Sequence, residues 1–150
     1  MFKILLALHL IAAIFLIGPL VHAVTTSARG LRQGDAAAIA SSARTATVYS
    51  YASVLVVIFG FGLMSAEAPW AEGENVAGFD ETWIWLSTLL WLLGVALTLA
   101  MVVPALQQAG ARVTAGEAVD GLRARVAAGG GVVGLVFLAI VLLMVYKPGS

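Results

Sequence analysis

The chain has 150 residues, 61% of them hydrophobic and only 11% charged, too little charge to cover a soluble domain of this size. Eight basic and eight acidic residues cancel, so no global field points to a nucleic-acid partner. The absence of cysteine removes disulfides, thiolate catalysis and thiolate metal sites together.

Four windows nearly free of charge, residues 3–24, 46–65, 83–106 and 126–146, each reach the ~20 residues that a helix needs to cross ~30 Å of hydrocarbon. Short alternating segments of the β-barrel kind are not visible. The windows predict one integral membrane domain over residues 1–150, an all-α four-transmembrane-helix antiparallel bundle. The first window, MFKILLALHLIAAIFLIGPLVHAV, holds both histidines and ends in Val21-His22-Ala23, a sequence with the form of a signal-peptidase site. A retained span is the preferred reading, because the apolar run outlasts a signal h-region and Arg29 and Arg32 soon follow. Pro19 in this span and Pro104 in the third each remove a helix hydrogen bond, freeing the carbonyls of Phe15 and Ala100.

Gly30 and Gly110 are expected to stop the first and third helices. Gly34-Asp35 ahead of AAAIASSARTA reads as a cap that feeds directly into the second span. Thr114-Ala115-Gly116-Glu117 has capping-box spacing and is expected to open the fourth helix about three turns before the membrane. Pro148-Gly149 is expected to close it. Each half thus reads span, proline, Arg/Gly turn, capped helix, span. This outlines a parallel internal repeat, although any two membrane hairpins would share the pattern.

The charge distribution orients the chain. Arg29, Arg32 and Arg44 lie between the first two spans, and Arg112, Arg123 and Arg125 between the last two. The middle loop carries Glu67, Glu72, Glu74, Asp80 and Glu81 with no Lys or Arg. The positive-inside rule places the arginine turns in the cytoplasm of a bacterial plasma membrane, with both termini and the acidic loop outside. Lys3 and Lys147 oppose this weakly. The acidic loop has neither calcium-loop spacing nor a histidine to complete a zinc set, so a solvated loop is expected, with partner docking through Trp70 and Phe79 as the alternative.

Trp83, Trp85 and Tyr146 are expected at headgroup depth as interfacial anchors, whereas Trp91 lies deeper and its indole N–H needs a partner. The run Gly129-Gly130-Gly131-Val132-Val133-Gly134 places Gly130 and Gly134 four residues apart, a helix-packing spacing that serves the bundle or a contact with another copy or another membrane protein. No Asp, Glu, Lys or Arg sits deep in a span, which argues against an ion-coupled transporter. His9 does sit deep, ~10 Å into the apolar run. Ser87, Thr88 or a backbone carbonyl are its expected partners. His22 is expected at the interface. Thirteen residues of helix separate the two histidines by ~20 Å and turn them ~140° apart, so they cannot share one metal.

LHLIAAIFLIGPLVHA, the Arg/Gly turn after it, VYSYASVLVVIFGFGLM and the ending VYKPG resemble a bacterial family of four-span membrane proteins, domain of unknown function 2269. That resemblance implies four helices and supplies no activity. More distantly, His9, Ala12, Ala13 and Gly18 are similar in spacing to the first helix of copper-resistance D type membrane proteins and other small haem-binding bundles. Leu16 replaces the tryptophan of that pattern, so His9 alone carries over, as a ligand for haem.

Two functional classes therefore stay open. The preferred one is a non-enzymatic membrane scaffold or accessory subunit in the lipid bilayer; the alternative is a haem b- or copper-binding redox module that uses His9. The orientation is directly testable. A single cysteine at Gly73 is expected to be labelled from outside in intact cells and one at Gln33 is not, and the reverse pattern would invert the topology.

Overall fold

In the computed structural model, which describes residues 1–70 and 73–148, the described residues form four long helices and no strand. Helix α1 spans Phe2–Gln33, α2 Ala36–Met64, α3 Thr82–Thr114 and α4 Asp120–Tyr146. Each is long and apolar enough to cross a membrane, and their order makes the all-α antiparallel bundle that the windows predict. Glu72 and the expected stop at Gly149 lie outside the described residues.

The helix ends are set by backbone geometry that composition disguised. Helix α1 does not stop at Gly30. It runs on to Gln33 and ends where Gly34 takes a left-handed conformation (φ 62°), with the Asp35 N–H bonded to the Gly30 carbonyl at 3.0 Å. Helix α3 likewise passes Gly110 and closes at Gly116 (φ 74°), with the Glu117 N–H on the Arg112 carbonyl at 2.9 Å. Both are Schellman closures, for which glycine is favoured because it carries no Cβ to clash at positive φ. Gly30 and Gly110 serve a different purpose. Both face Ile39, which is wholly buried; a β-carbon at Gly30 would lie 3.3 Å from its Cγ1 and one at Gly110 3.5 Å from its Cγ2.

The cap at Asp35 is present, its carboxylate accepting from the Ala38 N–H at 3.0 Å. The capping box at Thr114 is not. Thr114 is the last residue of α3 and its hydroxyl donates back to the Gly110 carbonyl, while Glu117 turns to Arg112 at 3.9 Å. Because the Schellman closure reverses the chain at Gly116, α4 begins only at Asp120, without a side-chain cap.

Both prolines are absorbed by the same device. A π turn covers Ala13–Ile17 in α1 and Thr98–Val102 in α3, each ending two residues before its proline. The wider turn precedes each proline, so Pro19 and Pro104 fall in the first two positions of the α-helical segment that follows, where proline is best tolerated. The π turn, the proline and the Schellman end thus recur in both hairpins.

Around the arginine end the helices come close together. Here α1 lies against both α2 and α4, and α3 against α2, over a core of Leu20, Val24, Ile39, Leu106, Val126 and Val133 interleaved with buried alanines. Towards the acidic loop α1 stays with α2 and α3 with α4, and the two pairs draw apart, bridged by larger side chains: Trp91, and a cluster of Met64, Ala77, Trp83 and Ile84. Trp83 is therefore not a lipid-facing anchor. Its ring is buried in that cluster with the Lys147 ammonium 5.4 Å from its centroid, whereas Trp85 and Tyr146 are exposed.

A close backbone approach joins α4 to α1. A β-carbon at Gly130 would collide with the Val24 carbonyl, and one at Gly134 would lie 3.1 Å from the Thr25 methyl. Next to them, Gly131 faces open space. Gly130→Ala is therefore expected to lower stability in detergent by about 1–3 kcal/mol. Gly131→Ala should be neutral or mildly stabilising, since alanine is the better helix former. Equal thermal shifts from the two variants would contradict the contact.

Candidate functional site

His9, the histidine deep in the first span, is placed by the helix halves nearer the acidic loop. His9 is 9% exposed and packs against α2, where its Nδ1 lies 2.9 Å from the Val56 carbonyl oxygen. A carbonyl can only accept, so Nδ1 carries a proton, and in the neutral form of the ring the lone pair is on Nε2. Gly60 makes room for the ring: a β-carbon there would lie 3.1 Å from Cε1 and 3.3 Å from Nδ1. One turn earlier on α1, Leu5 meets Gly62 in the same way, its Cδ2 3.5 Å from where a β-carbon would stand. The two glycines of FGFGLM thus form a shallow face on α2 that receives His9 and Leu5.

Neither side chain expected from the third span reaches His9. The Thr88 hydroxyl donates to the Ile84 carbonyl of its own helix at 2.8 Å, and the Ser87 hydroxyl is buried without a partner among the described residues. The partner is the backbone of α2, which composition does not advertise. His22 lies at the other end of the window on an exposed face, where its carbonyl accepts from Thr26 at 2.7 Å.

A second buried polar group joins the two halves of the bundle. Trp91 Nε1 donates to Ser53 Oγ at 3.0 Å, and Ser53 Oγ in turn donates to the Ser50 carbonyl at 2.7 Å. This supplies the partner that the deep indole requires. Ser53 also marks a local tightening of α2, where the Val56 N–H bonds the Ser53 carbonyl at 3.0 Å. A pair of serines three residues apart in an otherwise apolar span was the available signal for it. Thr98, wholly buried at the start of its π turn, donates to the Gly94 carbonyl at 2.8 Å.

The acidic loop is folded rather than merely solvated. The Ala68 N–H bonds the Glu74 carbonyl at 2.7 Å, and the Val76 N–H bonds the Ala66 carbonyl at 2.9 Å. Glu81 accepts from the Gly78 N–H and from the Trp83 indole. The rings stay outside: Trp70, Phe79 and Trp85 are 66%, 56% and 55% exposed. They are nevertheless held in place, Trp70 edge-on to Phe2 at 5.8 Å and Phe79 against Phe61 at 5.7 Å. Among the described residues, no three of His, Cys, Asp or Glu gather as a metal-binding group.

Four helices long and apolar enough to cross a membrane, with His9, Trp91 and Thr98 paired inside the protein, define a multi-pass integral membrane protein. More particularly, the chain belongs to the family described as predicted integral membrane protein, domain of unknown function 2269, whose model matches residues 3–148. No curated protein and no solved structure matches it.

Proposed function

We propose that the protein is a non-enzymatic scaffold or accessory subunit of a bacterial plasma membrane, with its termini and acidic loop outside and its arginine turns in the cytoplasm. The observation that carries the reading is the loop-end surface, where Trp70, Phe79 and Trp85 are more than half exposed yet held by ring contacts and hydrogen bonds. Rigid aromatic side chains presented this way, among the exposed carboxylates of Glu74 and Asp80, are the groups that anchor protein interfaces at small entropic cost. Within the membrane, Gly130 is already covered by α1. A partner helix, from a second copy or another membrane protein, would meet α4 along its exposed Ala128 and Gly131 instead.

The reading is tested by a photo-crosslinking amino acid at Phe79 in intact cells, with Leu142, exposed on α4, as the control. A discrete protein adduct at Phe79 and none at Leu142 is expected. No protein adduct at Phe79, or the same adducts at both sites, would overturn it.

One observation favours the second reading, a haem b- or copper-binding module. The bond from Nδ1 to Val56 would leave Nε2 of a neutral His9 as a lone-pair donor, the arrangement that second-shell carbonyls impose on metal-ligating histidines. One chain fits such a group only in part: it offers a single nitrogen of this kind, so a second axial ligand would have to come from another protomer. Under this reading the purified protein shows a Soret band that shifts on dithionite reduction and is lost in His9→Ala but kept in His22→Ala. A protein expressed with ample haem that is colourless and fails to bind added haem eliminates it.

A further inference from the structure

The arginine end of the bundle carries charge that the protein does not neutralise. Among the described residues the ion pair is Arg112–Glu117, and no carboxylate comes within ion-pair distance of Arg32 or Arg123. These two side chains line an open groove of about 450 Å³ between α1 and α4, together with Ala28, Asp120, Ala124 and Ala127. We propose that this groove binds the headgroup phosphate of an anionic phospholipid, clasped between the guanidinium groups of Arg32 and Arg123.

The geometry follows from the helix crossing. Val24 and Gly130 meet backbone to backbone. Arg32 follows Val24 by eight residues and Arg123 precedes Gly130 by seven, so in these antiparallel helices both stand about 11 Å beyond the crossing, level with each other on opposite walls. The apolar windows end near that crossing, at Val24 on α1 and Val126 on α4. The polar headgroup layer beyond it is roughly 5–7 Å deep on each side of a bilayer, within reach of side chains that extend back towards the lipid. Guanidinium groups suit phosphate because their fixed fork of N–H donors matches two of its oxygens.

Two features select a lipid phosphodiester over a free anion. The floor of the groove is alanine, and Ala127 already lies inside the fourth apolar window, so the groove continues from charge into hydrocarbon. Two arginines against one aspartate leave a single net positive charge, which matches the single negative charge of a phosphodiester. The proposal holds for whichever leaflet the arginine end occupies.

The test measures lipid retained by the detergent-purified protein, by native mass spectrometry, with phosphatidylglycerol and phosphatidylcholine offered in equal amounts. Phosphatidylglycerol is expected to be retained preferentially. Arg32→Gln and Arg123→Gln should each lower that preference about tenfold, the loss of a charge-assisted hydrogen bond to the phosphate. Asp120→Asn should raise it. Arg29→Gln with Arg125→Gln, exposed but outside the groove, should change it less than about twofold. An equal loss from this control pair would show diffuse surface charge and overturn the site, as would the absence of a gain in Asp120→Asn. Inorganic phosphate is not expected to raise the thermal stability of the protein as phosphatidylglycerol does; equal stabilisation by both would overturn the lipid assignment.

Discussion

Two helices in lipid gain little by hiding apolar surface from each other, because the acyl chains they displace are as apolar as their own side chains. What holds them together is the close fit of one backbone on the next and the pairing of polar groups inside the protein. In this bundle the fit is made where Gly130 lies on the Val24 carbonyl, and the positions of the other helices follow from it. The same crossing fixes α1 between α2 and α4, lets the alanine-rich segments around Ile39 close over one another, and sets Arg32 opposite Arg123. Where bulk returns, at Trp83 and Trp91, the two hairpins separate.

Polar side chains supply the second half of that constraint. Water is absent at mid-membrane, so a histidine, an indole and a buried threonine must each find an acceptor in the protein. His9 finds the backbone of α2, Trp91 finds Ser53, and Thr98 finds its own helix. The first bond holds a hairpin together and the second ties the hairpins to each other. The acidic loop completes the frame from above, its short hairpin burying Ala66, Ala68 and Ala77 while its aromatic rings remain outside.

Much of this was legible in the residues. Window length and charge depletion specify four spans because the bilayer demands a fixed length of helix whatever the side chains do. The Asp35 cap and the need of Trp91 for a partner were legible because each depends on chemistry local to one residue. Glycine was the ambiguous letter. In a membrane helix it reads equally as a stop or as a slot, and Gly30 and Gly110 proved to be slots for Ile39 while Gly34 and Gly116 made the turns; only the position of the neighbouring helix distinguishes them. Thr114 and Glu117 had the spacing of a cap but were claimed by the end of the preceding helix. A backbone carbonyl was among the expected acceptors for His9, but which one was not legible: a carbonyl has no letter in the sequence, and its trace was the pair of small residues opposite, Gly60 and Gly62.

The π turn at Ala13–Ile17 also sets an angle. Each residue of an α-helix advances the chain by about 100° around its axis, and a π turn accommodates one residue more than the regular coil would. It therefore acts as a phase shifter between the two halves of α1, rotating the half that carries His9 relative to the half that carries Leu20 and Val24. Without that offset a single straight stripe would have to serve both the glycine face of α2 and the glycine face of α4. With it, one continuous rod presents two differently aimed contact faces, and the hairpin and the inter-hairpin joint can each be tuned without rotating the other.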